Sequence, residues 1–210
     1  MATPKEKFKF KDQAQARAVL LQPAEEGRAQ RIESARYVEG YAARFDTYLL
    51  YDDGDWGKTF ERFEPSAFDG CDMSDVILQF DHAGRVFART TNGTLLVEPD
   101  AEGLFMAADL DRTELARGLF DDIAAKMLTK MSWRFRLGEY YIEEKAGSKD
   151  ITIVHTKIPK IYDVSVVSIP ANQETEINAR DLVTGVRDEI ARREAELEDR
   201  RRRLRLKTTF

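Results

Sequence analysis

Between Tyr37 and Val167 the apolar residues come in short runs cut by Gly, Pro, Asn and Asp, and one run alone, residues 111–129, carries helical spacing. Such a chain is confined to a mostly β fold with helices at its margin. Strands are predicted at 36–45, 58–63, 76–80, 86–90, 93–97, 104–108, 130–143, 151–157 and 161–167. Most connections are short enough for hairpins, and Asn92-Gly93 is a strong turn pair joining the fourth and fifth of these runs. In the helical run, Asp111 or Thr113 can cap, and Leu115, Leu119, Phe120, Ile123, Met127 and Leu128 form one stripe. Roughly eight strands around one helix point to an α+β barrel or sandwich decorated by helices.

The two ends differ from this middle. Residues 1–34 are rich in Lys, Glu, Gln, Arg and Ala, broken by Pro4 and Pro23. A short helix over Gln13–Leu21 has too little apolar content to anchor, so 1–34 reads as a mobile leader. From Arg180 the pattern is helical again, with Val183, Ile190, Leu197 and Leu204 at heptad spacing and Val186 between. Arg193 and Arg200 interrupt that seam. Three regions are therefore expected: a leader (1–34), a folded domain (35–180) and a charged C-terminal helix or tail (181–210).

Several function classes drop out on composition. A net charge of −5 offers no global attraction for nucleic acid. The single cysteine, Cys71, excludes an internal disulfide and suits a reducing compartment. No apolar run is long enough to span a bilayer, and Met1–Asp12 lacks the apolar core of a secretory signal, so a cytosolic protein is expected. Gly54-Asp55-Trp56-Gly57-Lys58-Thr59 ends like a phosphate loop but has two residues between its glycines where four are needed. Cys71, His82 and His155 are scattered without ligand spacing, so neither metal nor other cofactor is expected. Arg200–Arg203, with Arg205 and Lys207, reads better as a solvated helix end than as a nucleic-acid contact.

The candidate chemistry centres on Lys130–Arg136. Met131, Trp133 and Phe135 alternate with Ser132, Arg134 and Arg136, which puts a serine hydroxyl among cationic side chains on one face of a strand. Alone this is ordinary. A serine attacks at neutral pH only when a base takes its proton and a third group steadies that base. His82, at the end of the 76–80 run, is one of only two histidines, so the base has few candidates, although its spacing alone favours a strand-end histidine bonded to backbone. Asp163 lies inside an apolar run, where an unpaired carboxylate is costly to bury, so it must face a cation, a donor or water. His155 is the alternative third member.

These residues sit within an ordered set: Gly40-Tyr41-Ala42 with Phe45, Glu64-Pro65-Ser66-Ala67-Phe68, Gln79-Phe80-Asp81-His82, Gly103-Leu104, Lys130–Phe135, and Tyr162-Asp163-Val164-Ser165-Val166-Val167-Ser168-Ile169-Pro170-Ala171-Asn172. The set resembles the prohead (procapsid maturation) serine proteases of tailed bacteriophages over about residues 36–180. The resemblance implies a herpesvirus-assembly-protease-like fold, a compact, mostly antiparallel β-barrel flanked by helices, with Ser132 and His82 as catalytic residues. The acidic position falls on Asp163, where many relatives have Glu; herpesvirus relatives use a second histidine, which keeps His155 open. Trp133-Arg134-Phe135 replaces the family's Phe-Gly-Phe. The implied function is a serine endopeptidase that cleaves scaffold or capsid-protein segments, and itself, inside the assembling prohead in the host cytoplasm. Capsid protein or scaffold are the implied partners, and a homodimer follows by analogy. The rival readings are a non-catalytic assembly factor and a generic β-barrel binding domain.

Overall fold

The aromatic side of the 130–136 strand organises the interior. Met131, Trp133 and Phe135 are wholly buried, and the Trp133 and Phe135 rings stack with centroids 4.2 Å apart. Phe63 meets both edge-on, at 5.3 and 5.7 Å, from a strand of a second sheet. Aromatic pairs at these separations add to the burial of their own large apolar area, so the contact joins two sheets through one core.

The structure, a computed structural model, describes residues 8–9, 14–23, 29–52, 54, 57–144, 147–168 and 173–207. The strands are β1 (Phe8–Lys9), β2 (Ala14–Pro23), β3 (Tyr37–Arg44), β4 (Tyr48–Asp52), β5 (Lys58–Phe63), β6 (Ile77–Phe80), β7 (Ala83–Arg89), β8 (Leu95–Pro99) and β9 (Gly103–Asp109). After helix α1 (Glu114–Ala124) come β10 (Lys130–Arg136), β11 (Glu139–Glu144), β12 (Ile151–His155) and β13 (Lys160–Val167), then helix α2 (Gln173–Lys207). One sheet has the order β1-β11-β12-β5-β4 and the other β7-β6-β13-β10-β2-β3-β9-β8. Pairing is antiparallel except for β12 with β5 and β13 with β6. The class is α+β, as the sequence predicts. No ladder closes the eight-stranded sheet into a barrel among the described residues, although its edge strands β7 and β8 are consecutive in the chain.

Several local expectations need correction. Part of the supposed leader forms β2, which lies between β10 and β3 in the middle of the larger sheet. Backbone hydrogen bonds on both sides hold it there, a stabilisation that its thin apolar content does not reveal. The rest of the leader (1–7, 10–13, 24–28), the Ile169–Asn172 end of the motif block, Asp55 and Trp56 of the loop resembling a phosphate site, and 208–210 lie outside the described residues.

Asn92-Gly93 does not close a hairpin. Thr90–Asn92 make a single 3-10 turn and Gly93 takes φ 74°. The Thr90 and Thr94 hydroxyls accept the Val76 and Arg89 amides, each at 2.9 Å. With those strand-end donors satisfied by side chains, β7 pairs with β6 and β8 with β9. The 130–143 run is two strands, because Gly138 turns the chain where a Cβ would stand 2.2 Å from the Lys157 carbonyl oxygen.

Helix α1 is shorter than its apolar pattern predicts. Thr113 caps it, accepting the Ala116 amide at 3.1 Å, and Lys126 at φ 59° ends it. Ala116, Leu119 and Ile123 enter the core, while Leu115 and Met127 face solvent. Helix α2 seats Val186 in the core and packs Ile190 against it, and Arg187 donates to the Gly57 carbonyl at 3.2 Å. From Ala191 to Arg203 it is exposed but for a half-buried Arg193, and is laced by pairs such as Arg192–Glu189 and Arg203–Asp199.

Candidate active site

Strand pleating puts Val164 and Val166 of β13 toward the core and Asp163 and Ser165 on the opposite face. Across the ladder, Ser165 stands opposite Ser132 and Asp163 opposite Arg134. Ser132, Arg134, Asp163 and Ser165 therefore form a two-by-two patch on the face away from Trp133. Ser132, Asp163 and Ser165 are all buried.

His82 reaches this patch from the turn joining β6 to β7. Phe80 pairs with Ala83, leaving Asp81 and His82 as a two-residue turn with φ 47° and 57°. Both lie in the left-handed region that favours glycine, as in the primed turns that match strand twist. Aspartate and histidine tolerate it better than most residues, at a conformational cost on the order of 1 kcal/mol each. Asp81 repays part of this strain. Its amide donates to the Val166 carbonyl, and its carboxylate accepts the Ser168 amide and hydroxyl, all at 2.9 Å. The turn is thereby fastened to the end of β13, the strand that carries Asp163.

His82 Nδ1 lies 2.6 Å from Asp163 Oδ1, and their side chains are 7% and 5% exposed. An ionised carboxylate only accepts, so Nδ1 carries the hydrogen and Nε2 of a neutral ring is left as the acceptor. Nε2 is buried and makes no hydrogen bond. Ser165 Oγ donates to the same Asp163 oxygen at 2.7 Å. The structure thus brings His82 and Asp163 together and sets Ser132 on the same sheet face, one strand over. It forms no hydrogen bond between Ser132 and His82, a distance that commonly tightens only when substrate is bound.

His155 belongs elsewhere. It lies on β12 in the other sheet, on the core side of β10, with its ring stacked on Phe63 at 4.7 Å. Its Nε2 is 2.7 Å from Glu61 Oε1, and Tyr48 donates to the other Glu61 oxygen. Both members of the Glu61–His155 pair have no exposure. His82 meets Asp163, not His155. Cys71 is no competing nucleophile: burial, helped by neighbouring Asp72 and opposed by Lys157, pushes its thiol up to about 11. Among the described residues no three His, Cys, Asp or Glu side chains gather closely enough to hold a metal ion, and no helix is long and apolar enough to cross a membrane.

The sequence reading missed the parts played by Ser165, Asp81 and Glu61. Glu61 had a signal, since Thr59, Glu61 and Phe63 share one parity and all point inward. Ser165 had none beyond its place in the Asp163 motif.

An imidazole fixed by a carboxylate beside a serine is the equipment of a serine-type hydrolase. Residues 24–187 match the family described as caudovirus prohead serine protease, a span covering most of the chain, and the protein belongs to that family. The match begins before the expected residue 36 and runs past 180. Searches of the curated proteins and of the solved structures gave no match. The family assignment makes this a serine protease of phage capsid maturation, which acts inside the assembling prohead and interacts with phage capsid or scaffold proteins.

Proposed function

We infer that the protein is a serine endopeptidase that cleaves scaffold or capsid-protein segments, and its own chain, during prohead maturation. Ser132 Oγ attacks the scissile carbonyl carbon while His82 Nε2 takes its proton. The imidazolium, steadied by Asp163, gives that proton to the departing amine, and water then hydrolyses the acyl-serine by the same relay in reverse order of partners. Backbone N–H groups near Ser132 would hold the oxyanion. The observation that carries this reading is the 2.6 Å His82–Asp163 bond with its unpartnered Nε2 on the sheet face of Ser132.

The strand order of the eight-stranded sheet, with chain neighbours β7 and β8 at its two edges, supports reading it as the counterpart of the herpesvirus-type barrel. The catalytic body would run from β2 to about Ile190, wider than 35–180, because β2 lies in its sheet and Val186 and Ile190 of α2 belong to its core.

Replacing Ser132 by Ala should abolish cleavage of a co-expressed shell protein while circular dichroism and melting stay unchanged; undiminished cleavage rules the assignment out. The missing Ser132–His82 hydrogen bond favours one rival, a non-catalytic assembly factor that keeps the fold as a docking module. Covalent labelling of Ser132 by a fluorophosphonate separates the two.

A further inference from the structure

Ser165 is the fully buried polar member of the patch, and it has no task in the reaction just described. It is fully buried in β13 among Val164, Val166 and Val167, where a small apolar residue would fill the space without a hydroxyl to satisfy. That hydroxyl donates at 2.7 Å to Asp163 Oδ1, the oxygen that also receives the His82 Nδ1 hydrogen at 2.6 Å. In the ladders Ser165 faces Ser132 of β10 on one side and Gln79 of β6 on the other. It therefore stands between the nucleophile's strand and the strand leading to His82.

We propose that Ser165 is a positioning residue of the proton relay, fixing the rotamer of the Asp163 carboxylate and drawing off part of its charge. The inference rests on the Ser132–His82–Asp163 reading. The terminal torsion of an aspartate is soft, so a carboxylate held by one donor can turn and exchange its oxygens. A second donor on the same oxygen selects one orientation, which keeps Nδ1 aimed and holds Nε2 over β10. The charged groups facing Asp163 are His82 from the turn and Arg134 across the ladder; Ile77 of β6, its neighbour on the other side, brings none. Loss of the Ser165 donor has two effects. The imidazole is less well aimed, so the chemical step slows. The carboxylate charge is also less dispersed and holds the charged imidazole more strongly, so activity fails at a higher pH on the acid side.

The test is the rate of fluorophosphonate labelling of Ser132, followed by intact mass across pH on the full chain, with melting temperature measured alongside. Ser165→Ala should be labelled about tenfold more slowly. Its acid limb should move up by about half a pH unit. Ser165→Thr, which keeps the donor, should recover most of both. Ser165→Cys, similar in shape but a weak donor, gives the same readout where the alanine variant melts too early to assay. Labelling within about twofold of the parent with an unmoved acid limb overturns the proposal, as does a threonine variant no better than alanine. A merely structural hydroxyl would lower melting and leave the pH profile in place, which also overturns it. If Ser132→Ala is labelled as fast as the parent, the underlying catalytic reading has failed instead.

Discussion

Asp163→Asn tests the relay at its most buried joint. The substitution keeps shape and removes one charge from a pair whose nitrogen and oxygen are 2.6 Å apart and whose side chains are 7% and 5% exposed. In the proposed relay His82 takes the Ser132 proton, and the imidazolium so formed has its charge centre about 4 Å from that of the carboxylate. At an effective dielectric near 20 the attraction is about 4 kcal/mol. Salt screens it little, because the pair is out of water. At about 1.36 kcal/mol per decade, losing it slows the proton-coupled attack roughly a thousandfold. With the amide oxygen in the place of Asp163 Oδ1, both the Ser165 hydroxyl and His82 Nδ1–H can donate to it and the tautomer survives; an inverted amide would cost still more. The assay is the pseudo-first-order rate of fluorophosphonate labelling at Ser132 under fixed salt and pH, with melting temperature as the control for folding. A well-folded variant labelled less than about tenfold more slowly would refute the reasoning, because the carboxylate would then contribute far less than the geometry demands.

Two further predictions concern the scaffold. Glu61→Ala strips a fully buried histidine and Tyr48 of their shared acceptor and should lower unfolding free energy by about 3 kcal/mol in denaturant titration, whereas a loss below about 1 kcal/mol would contradict the burial argument. For Asp109, burial raises the carboxyl's pKa, but hydrogen bonds from Ser34, the Asp111 amide and Arg112 outweigh it and hold the group below its usual range. Its stabilisation is therefore present above the unfolded carboxylate's pKa of about 4 and lost as pH falls through the lower folded value. Asp109→Asn should flatten that part of the acid unfolding curve, and an unchanged curve would count against it.

What the sequence disclosed follows from local periodicity. Alternation in Lys130–Arg136 identified both faces of β10, and the lone acid in the Ile161–Val167 run called for a cation, a donor or water beside Asp163, a place that His82 fills. Thr113 capped α1 as its position suggested. What it hid was pairing between remote segments. β2 is held by backbone bonds to β10 and β3, with Lys130 of β10 pairing with Leu20 from 110 residues away in the chain, and such partners leave no mark in composition. The Asn92-Gly93 pair looked like a hairpin because nothing local announces that the Thr90 and Thr94 hydroxyls will take the strand-end amides. Ser165 read as one more small strand residue, since only the fold brings His82 onto the same oxygen.

The parity of β13 has an outcome beyond packing. Sliding that strand by a single position against β10 would turn Asp163 and Ser165 into hydrocarbon and push Val164 and Val166 to the outside. A misthreaded chain thus forfeits its interior and the carboxylate that holds His82 in the same stroke. Quality control and chemistry share one zipper, and a molecule able to cut is by construction one that has finished folding.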